Sequence, residues 1–185
     1  MSSKQMSSQN FQVFLQKARS LDLGPLAYQL IESRSGPKWT KAKAIQAIAH
    51  YLAFLYLIDR YPGLQVSPIE EIDQVWHCHI LDTHKYAEDC QHLFGYFVHH
   101  FPYLGTRNQV DQQNWYYAYA LTQQLFLKHF GIDFAMKSLF PSDCEPLRAE
   151  ASYERVECSH ICLERPTIPV TVDDALQIFP ATALT

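Results

Sequence analysis

Glycine is scarce in this chain, six in 185 residues, and no glycine-rich tract or tail is present. Basic residues are scattered: Lys and Arg form no cluster of five or more, and 15 of them against 19 Asp and Glu give a net charge of −4. A protein that tracks a phosphate backbone carries a basic face, so this balance argues against non-specific nucleic-acid binding. Long apolar runs are missing too. The longest, Ala47 to Ile58, contains His50 and stops at Asp59, whereas a membrane span needs roughly 20 residues. The opening MSSKQMSSQN is polar and has no apolar export core. Residues 1–9 are therefore an expected flexible terminus, and the cytoplasm is the expected location. Three catalytic patterns are absent as well: a Gly-x-Ser-x-Gly elbow, a phosphate-binding glycine loop and His-Glu-x-x-His. The cysteines number five. An odd count without an export signal suits thiols or metal ligands better than a disulfide set.

What is present is an apolar, aromatic chain about one domain long, with 48% hydrophobic and 14% aromatic residues. A domain of this size buries roughly 70% of its unfolded surface and folds without crosslinks. Most of it reads as helix. Phe11, Phe14, Leu15 and Ala18 share one helical face, and Leu26, Leu30 and Ile31 follow Gly24-Pro25. Trp39 to Tyr61 is a long candidate helix stopped by Pro62-Gly63. Ser67-Pro68-Ile69-Glu70 has the form of a helix start, with Ser67 as cap, Pro68 at the first position and Glu70 closing a capping box. Thr83 is the expected cap of the next helix, which runs to Gly95, and Asp111–Phe130 forms another that Gly131 ends. Five of the ten prolines fall in the last 45 residues, where helical periodicity fades. The expected fold is mainly α: a single-domain helical bundle over residues 10–140, with residues 141–185 as a proline-containing, partly extended wrap that includes Tyr153 to Val170.

The richest chemistry lies between Asp73 and Pro102, which holds six of the nine histidines and two of the cysteines. Imidazole is the commonest protein ligand for transition metals. His77 and His79 lie two apart, about 200° on an ideal helix, so sharing one ion requires the helix to end or distort near His77. Asp73 precedes His77 by four residues, on the same face, and can orient its ring from behind. His99 and His100 leave the next helix end in different directions, so one of them at most joins His77 and His79. Three histidines on one ion leave coordination positions open, as zinc and non-haem iron sites do. His84 and His92 read as surface residues and Cys90 as a core thiol. Trp76 and Tyr86 read as packing residues that can also border a pocket.

A second constellation, Cys158-Ser159-His160-Ile161-Cys162, puts alternate residues on one side of an extended segment. It resembles half a structural zinc site but lacks the usual Cys-x-x-Cys pair, so a plain strand with small, semi-polar residues on one face fits better. Nothing local marks Cys90 or Cys158 as an activated nucleophile.

Asp73-x-x-Trp76-His77-x-His79, then Tyr86, then Gly95-x-Phe97-x-x-His100 resembles the glycine-rich domain-containing protein-like family, found in bacteria, fungi and plants. The resemblance covers about 30 residues closely and residues 10 to 140 in layout. It implies a helical domain with a shared polar site, and it favours His77, His79 and His100 over His99. The chain departs from the longer plant relatives in lacking their glycine-rich tail and aromatic RNA-recognition signature.

Two functions of different class follow. One is a metal-binding protein, with zinc or iron held by His77, His79 and His100, Asp73 behind them, and a small molecule as substrate. The other is a protein-interaction module in which these groups form a structural hydrogen-bond network.

Overall fold

The computed structural model describes residues 3–134 and 165–180. Among these the chain forms seven helices and no strand: α1 (Ser3–Ala18), α2 (Gly24–Ile31), α3 (Lys41–Arg60), α4 (Glu70–Leu81), α5 (Thr83–Phe94), α6 (Gln109–Phe130) and α7 (Val172–Leu176). The mainly α class expected from periodicity is the class observed. Cys158, His160 and Cys162 lie outside the described residues, as does most of the segment expected to be extended.

The order of the bundle follows from α3. Every residue from Ala47 to Leu57 is buried, and a helix buried on all faces belongs at the centre of a fold. Thr40 opens it, its Oγ1 accepting from the Lys43 N–H at 3.3 Å, and α1, α2, α4 and α7 pack around it. Phe11 on α1 shows how the layers meet. Its ring lies 4.9 Å from Tyr56 of α3, 4.9 Å from Phe130 of α6 and 5.7 Å from Phe179 beyond α7. Aromatic pairs of this kind each add about 0.5–1.5 kcal/mol beyond their buried area.

Residues 165–180 are laid against the helical body. Thr171 and Asp174 form a reciprocal capping box at the start of α7, and Val170, Val172, Ala175 and Phe179 are buried. The Arg165 guanidinium grips Asp82 between α4 and α5 with two hydrogen bonds, one of 3.0 Å. Gly24 permits the close approach of this segment to α2: a Cβ there would meet Thr167 Oγ1 at 1.7 Å, and the Ile168 N–H donates to the Gly24 carbonyl at 3.1 Å.

Two helix starts differ from expectation. Ser67 does not cap α4. The helix begins at Glu70, Ile69 occupies the cap position, and no side chain caps it. The Ser67 N–H instead donates to Thr122 Oγ1 of α6 at 3.0 Å, which draws Ser67 and Pro68 into the approach to the helix. Glu70, Glu71 and Asp73 in the first turn offset the exposed N-terminal dipole in place of a cap. Thr83 is likewise the first residue of α5 and not its cap. Asp82 takes that role by accepting from the Lys85 N–H at 3.3 Å, so α4 and α5 join through one residue. The expected stops hold: Gly95 and Gly131 close α5 and α6 with φ of 78° and 68°, left-handed values that cost glycine little.

Candidate metal centre

Helix α4 runs unbroken through both His77 and His79, and the two rings diverge as i, i+2 residues of a helix must. His77 turns toward His100, with ring centroids 4.7 Å apart. Asp73, one turn earlier, stands between them. Its Oδ1 accepts from His100 Nε2 at 2.9 Å, and its Oδ2 lies 3.8 Å from His77 Nδ1. One donor atom from each of Asp73, His77 and His100 falls within 4.8 Å of the other two. Two donors at roughly 2.1 Å from a tetrahedral ion stand about 3.4 Å apart, so a group lying within 4.8 Å would have to draw together around one ion. The Asp73 and His100 side chains are only 6% and 12% exposed, whereas His77 is 34% exposed. The cluster thus has two largely buried members and one more exposed ligand.

His100 comes from the connection between α5 and α6, and buried hydrogen bonds fix it. The Trp76 indole N–H donates to Tyr86 Oη at 2.9 Å, and the Tyr86 hydroxyl donates to the Val98 carbonyl at 2.6 Å. This ladder pins the backbone two residues before His100, and the Trp76 ring packs edge-on against the His100 ring at 4.6 Å. Burial raises the Tyr86 phenol well above its usual range, so it stays a donor. Burial lowers the His77 pKa, as the His100 charge does more weakly, against an upward pull from Asp73. A lowered value keeps the imidazole neutral, the form that coordinates metal.

Asp73, Trp76 and His100 form part of the wall of a cleft of about 310 Å³. The rest comes from α3, the stretch before α4, the α5–α6 connection and α6, through residues such as Phe54, Pro68, Phe101 and Trp115. Asp111 shapes the loop along one side: its carboxylate accepts from the Gly105 N–H at 2.8 Å and the Arg107 N–H at 3.2 Å and pairs with the Arg107 guanidinium at 2.5 Å. The Arg107 bond holds the Asp111 carboxyl down at about 2. Gly105 has φ of 89°, and a Cβ there would press on the Trp115 ring at 3.0 Å. Tyr86 is not on this wall; it lies behind Trp76, 1% exposed.

The chain matches no protein-family model, no curated protein and no solved structure. The chemistry of this site therefore rests on its own residues.

The structure does not bring His79 to this cluster. It is buried on the other side of α4, with Nδ1 2.9 Å from the Tyr51 hydroxyl and Nε2 2.9 Å from Asp89 Oδ2. Asp89 also accepts from Lys85 Nζ at 2.8 Å. An ionised carboxylate only accepts, so Nε2 carries the proton and Nδ1 accepts from Tyr51. Burial pushes the Asp89 carboxyl up, but hydrogen bonds from His79 and Lys85 outweigh it and hold the pKa below the usual carboxylate value. With both ring nitrogens engaged, His79 has no lone pair left for an ion. The expected three-histidine set is corrected on this point: His77 and His100 converge, His79 does not, and the third donor beside them is Asp73, which was expected behind the ring.

The remaining histidines sit elsewhere. His84, His92 and His99 are exposed, and His92 Nε2 lies 2.8 Å from Ser20 Oγ. His99 edges the cleft without joining the cluster. Cys90 is a buried thiol, 2% exposed, and burial raises Cys78 to about 11; neither is an activated nucleophile. Sequence reasoning missed Phe54 and Trp115 as cleft residues, and also the network partners Tyr51 and Asp89. Only the Lys85–Asp89 pair at i, i+4 carried a local signal. Among the described residues, no helix is long and apolar enough to cross a membrane.

Proposed function

We propose that this protein binds one divalent metal ion through Asp73, His77 and His100 and uses it on a small molecule in the adjoining cleft. The observation that carries the reading is the convergence of these three donors within 4.8 Å of one another, two of them on the wall of the cleft. Two imidazoles and one carboxylate form the donor set of many catalytic zinc sites and of the non-haem iron facial triad. Three protein ligands leave positions open, and Asp73 and His100 turn those positions toward the cleft. Zinc and iron(II) both suit the set. A cytoplasmic location and membership of the glycine-rich domain-containing protein-like family belong to the same proposal. The free thiols Cys78 and Cys90 are compatible with a reducing compartment.

Equilibrium dialysis of untagged protein against zinc, and against iron(II) without oxygen, tests the reading. Wild type is expected to retain about one ion per chain, with tenfold or greater loss of affinity in His77→Ala and in His100→Ala. Retention no greater in wild type than in the double variant would overturn it.

The second reading is a structural hydrogen-bond network, and it has its own support. Tyr51, His79, Asp89 and Lys85 are all buried, and each is hydrogen-bonded within the group. A fully satisfied network of this kind fixes the register of α3, α4 and α5. We assign that role to His79 and the metal to the opposite face of α4.

A further inference from the structure

The wall of the cleft also restricts what binds beside the metal. Among the described residues it carries no Lys or Arg, and the one carboxylate on it is Asp73. Phosphorylated ligands and nucleotides need several fixed cations or a nest of N–H groups, and this wall offers no such cations. Aromatic rings border the cleft beside uncharged polar side chains such as Gln65, Thr106 and Gln112. Phe54, Trp76, Phe101 and Trp115 come from four separate parts of the chain and line one space. At about 310 Å³ the cleft falls at the small end of ligand sites, which run from roughly 300 to 1,000 Å³. That size suits one or two fused rings.

Charge fixes the head group. A divalent ion with one carboxylate ligand keeps one uncompensated positive charge, and among the described residues the wall offers no second carboxylate to balance it. A single carboxylate neutralises it. Without the ion, the same carboxylate would face Asp73 and be repelled. From these constraints, and resting on the metal reading above, we propose that the cleft binds an aromatic monocarboxylate of one or two rings, with its carboxylate on the ion and its rings between the cleft aromatics.

The probes are 1-naphthoate, its neutral analogue 1-naphthalenemethanol, and inorganic phosphate. Each is titrated into zinc-loaded and zinc-free protein by calorimetry, with the zinc content of every sample measured separately. Naphthoate is expected to bind the zinc form roughly tenfold or more tightly than the zinc-free form, because an opposite charge at the head is replaced by a like one. It is also expected to outcompete both the alcohol and phosphate. Trp115→Ala and the more exposed Phe101→Ala should each retain zinc and weaken naphthoate by about tenfold, the loss expected for an aromatic anchor. Naphthoate that fails to bind protein with its full zinc content overturns the ligand class and leaves the metal reading intact. Equal binding with and without zinc, or phosphate binding more tightly than naphthoate, also overturns it. Protein that takes up no zinc overturns both proposals.

Discussion

Asp73 and His100 are 27 residues apart in the chain and meet through a 2.9 Å hydrogen bond, Nε2 donating to Oδ1. The bond ties the middle of α4 to the connection that follows α5. It also sets the carboxylate within reach of both the His77 and His100 rings, where it can serve either as a ligand or as an orienting acceptor. The proposed site takes Asp73 as a ligand, which requires the ion to replace the proton between Nε2 and Oδ1 or His100 to bind through Nδ1. A carboxylate that only orients a histidine changes metal affinity by about 10- to 100-fold when replaced. Asp73→Asn is expected to exceed that range while His100→Ala falls within or above it. Competition dialysis against a chelator of known strength measures both. A loss of about 100-fold or less in Asp73→Asn would return the residue to an orienting role.

Histidines two residues apart on α4 are expected to fail in opposite ways. His79→Ala leaves Asp89 and Tyr51 partly unpaired in the core and should cost about 2–4 kcal/mol, with zinc content unchanged. His77→Ala removes a half-buried ring and should lose zinc with a stability change under about 1 kcal/mol in the metal-free protein. Urea midpoints and zinc content, measured on the same preparations, give both readings. Loss of zinc in a folded His79→Ala protein would contradict the division of α4 into two faces.

Ser67→Ala should leave stability within about 0.5 kcal/mol of wild type, because the bond that matters is made by the Ser67 backbone N–H and survives the change. Thr122→Val, which removes the acceptor of that N–H, should cost about 1–3 kcal/mol. Paired denaturant midpoints check this. The reverse order would restore Ser67 as a side-chain cap.

These cases show where the sequence was legible. The helices of the bundle could be read because burial repeats at 3.6 residues along Phe11, Phe14, Leu15 and Ala18, and because Gly95 and Gly131 supply left-handed stops. The start of α4 is not legible locally, because Ser67-x-x-Glu70 has the form of a capping box while the competing partner, Thr122, lies 55 residues away. The divergence of His77 and His79 was legible as an angle. Which side each ring faced was not, since that depends on Tyr51 of α3, Asp89 of α5 and His100 of the following connection. The cleft was invisible locally for the same reason: Phe54 and Trp115 mark it only once α3 and α6 are brought together.

Acid should destabilise the protein through His129. Burial, followed by the charges of Lys128 and Arg60, lowers its pKa from 6.5 to about 4, and the Tyr61 hydroxyl lies 2.8 Å from its Nε2. Between those two values the unfolded chain binds the proton and the folded chain does not, so stability rises with pH across the window. It is fully present above about pH 6.5 and declines as pH falls toward 4. Allowing for the partial exposure of the ring, the loss is about 1–2 kcal/mol. His129→Gln should flatten that part of the stability–pH curve in urea titrations. An unchanged slope would assign the acid sensitivity to other groups.

The central claim is that one ion sits between two imidazoles and one carboxylate. The X-ray absorption spectrum of the one-to-one zinc complex tests it most directly, since imidazole rings add outer-shell scattering that can be counted. The account predicts two imidazole nitrogens at about 2.0–2.1 Å with oxygen completing the shell, and one imidazole in His100→Ala. Three imidazoles in wild type, or two in His100→Ala, would contradict it.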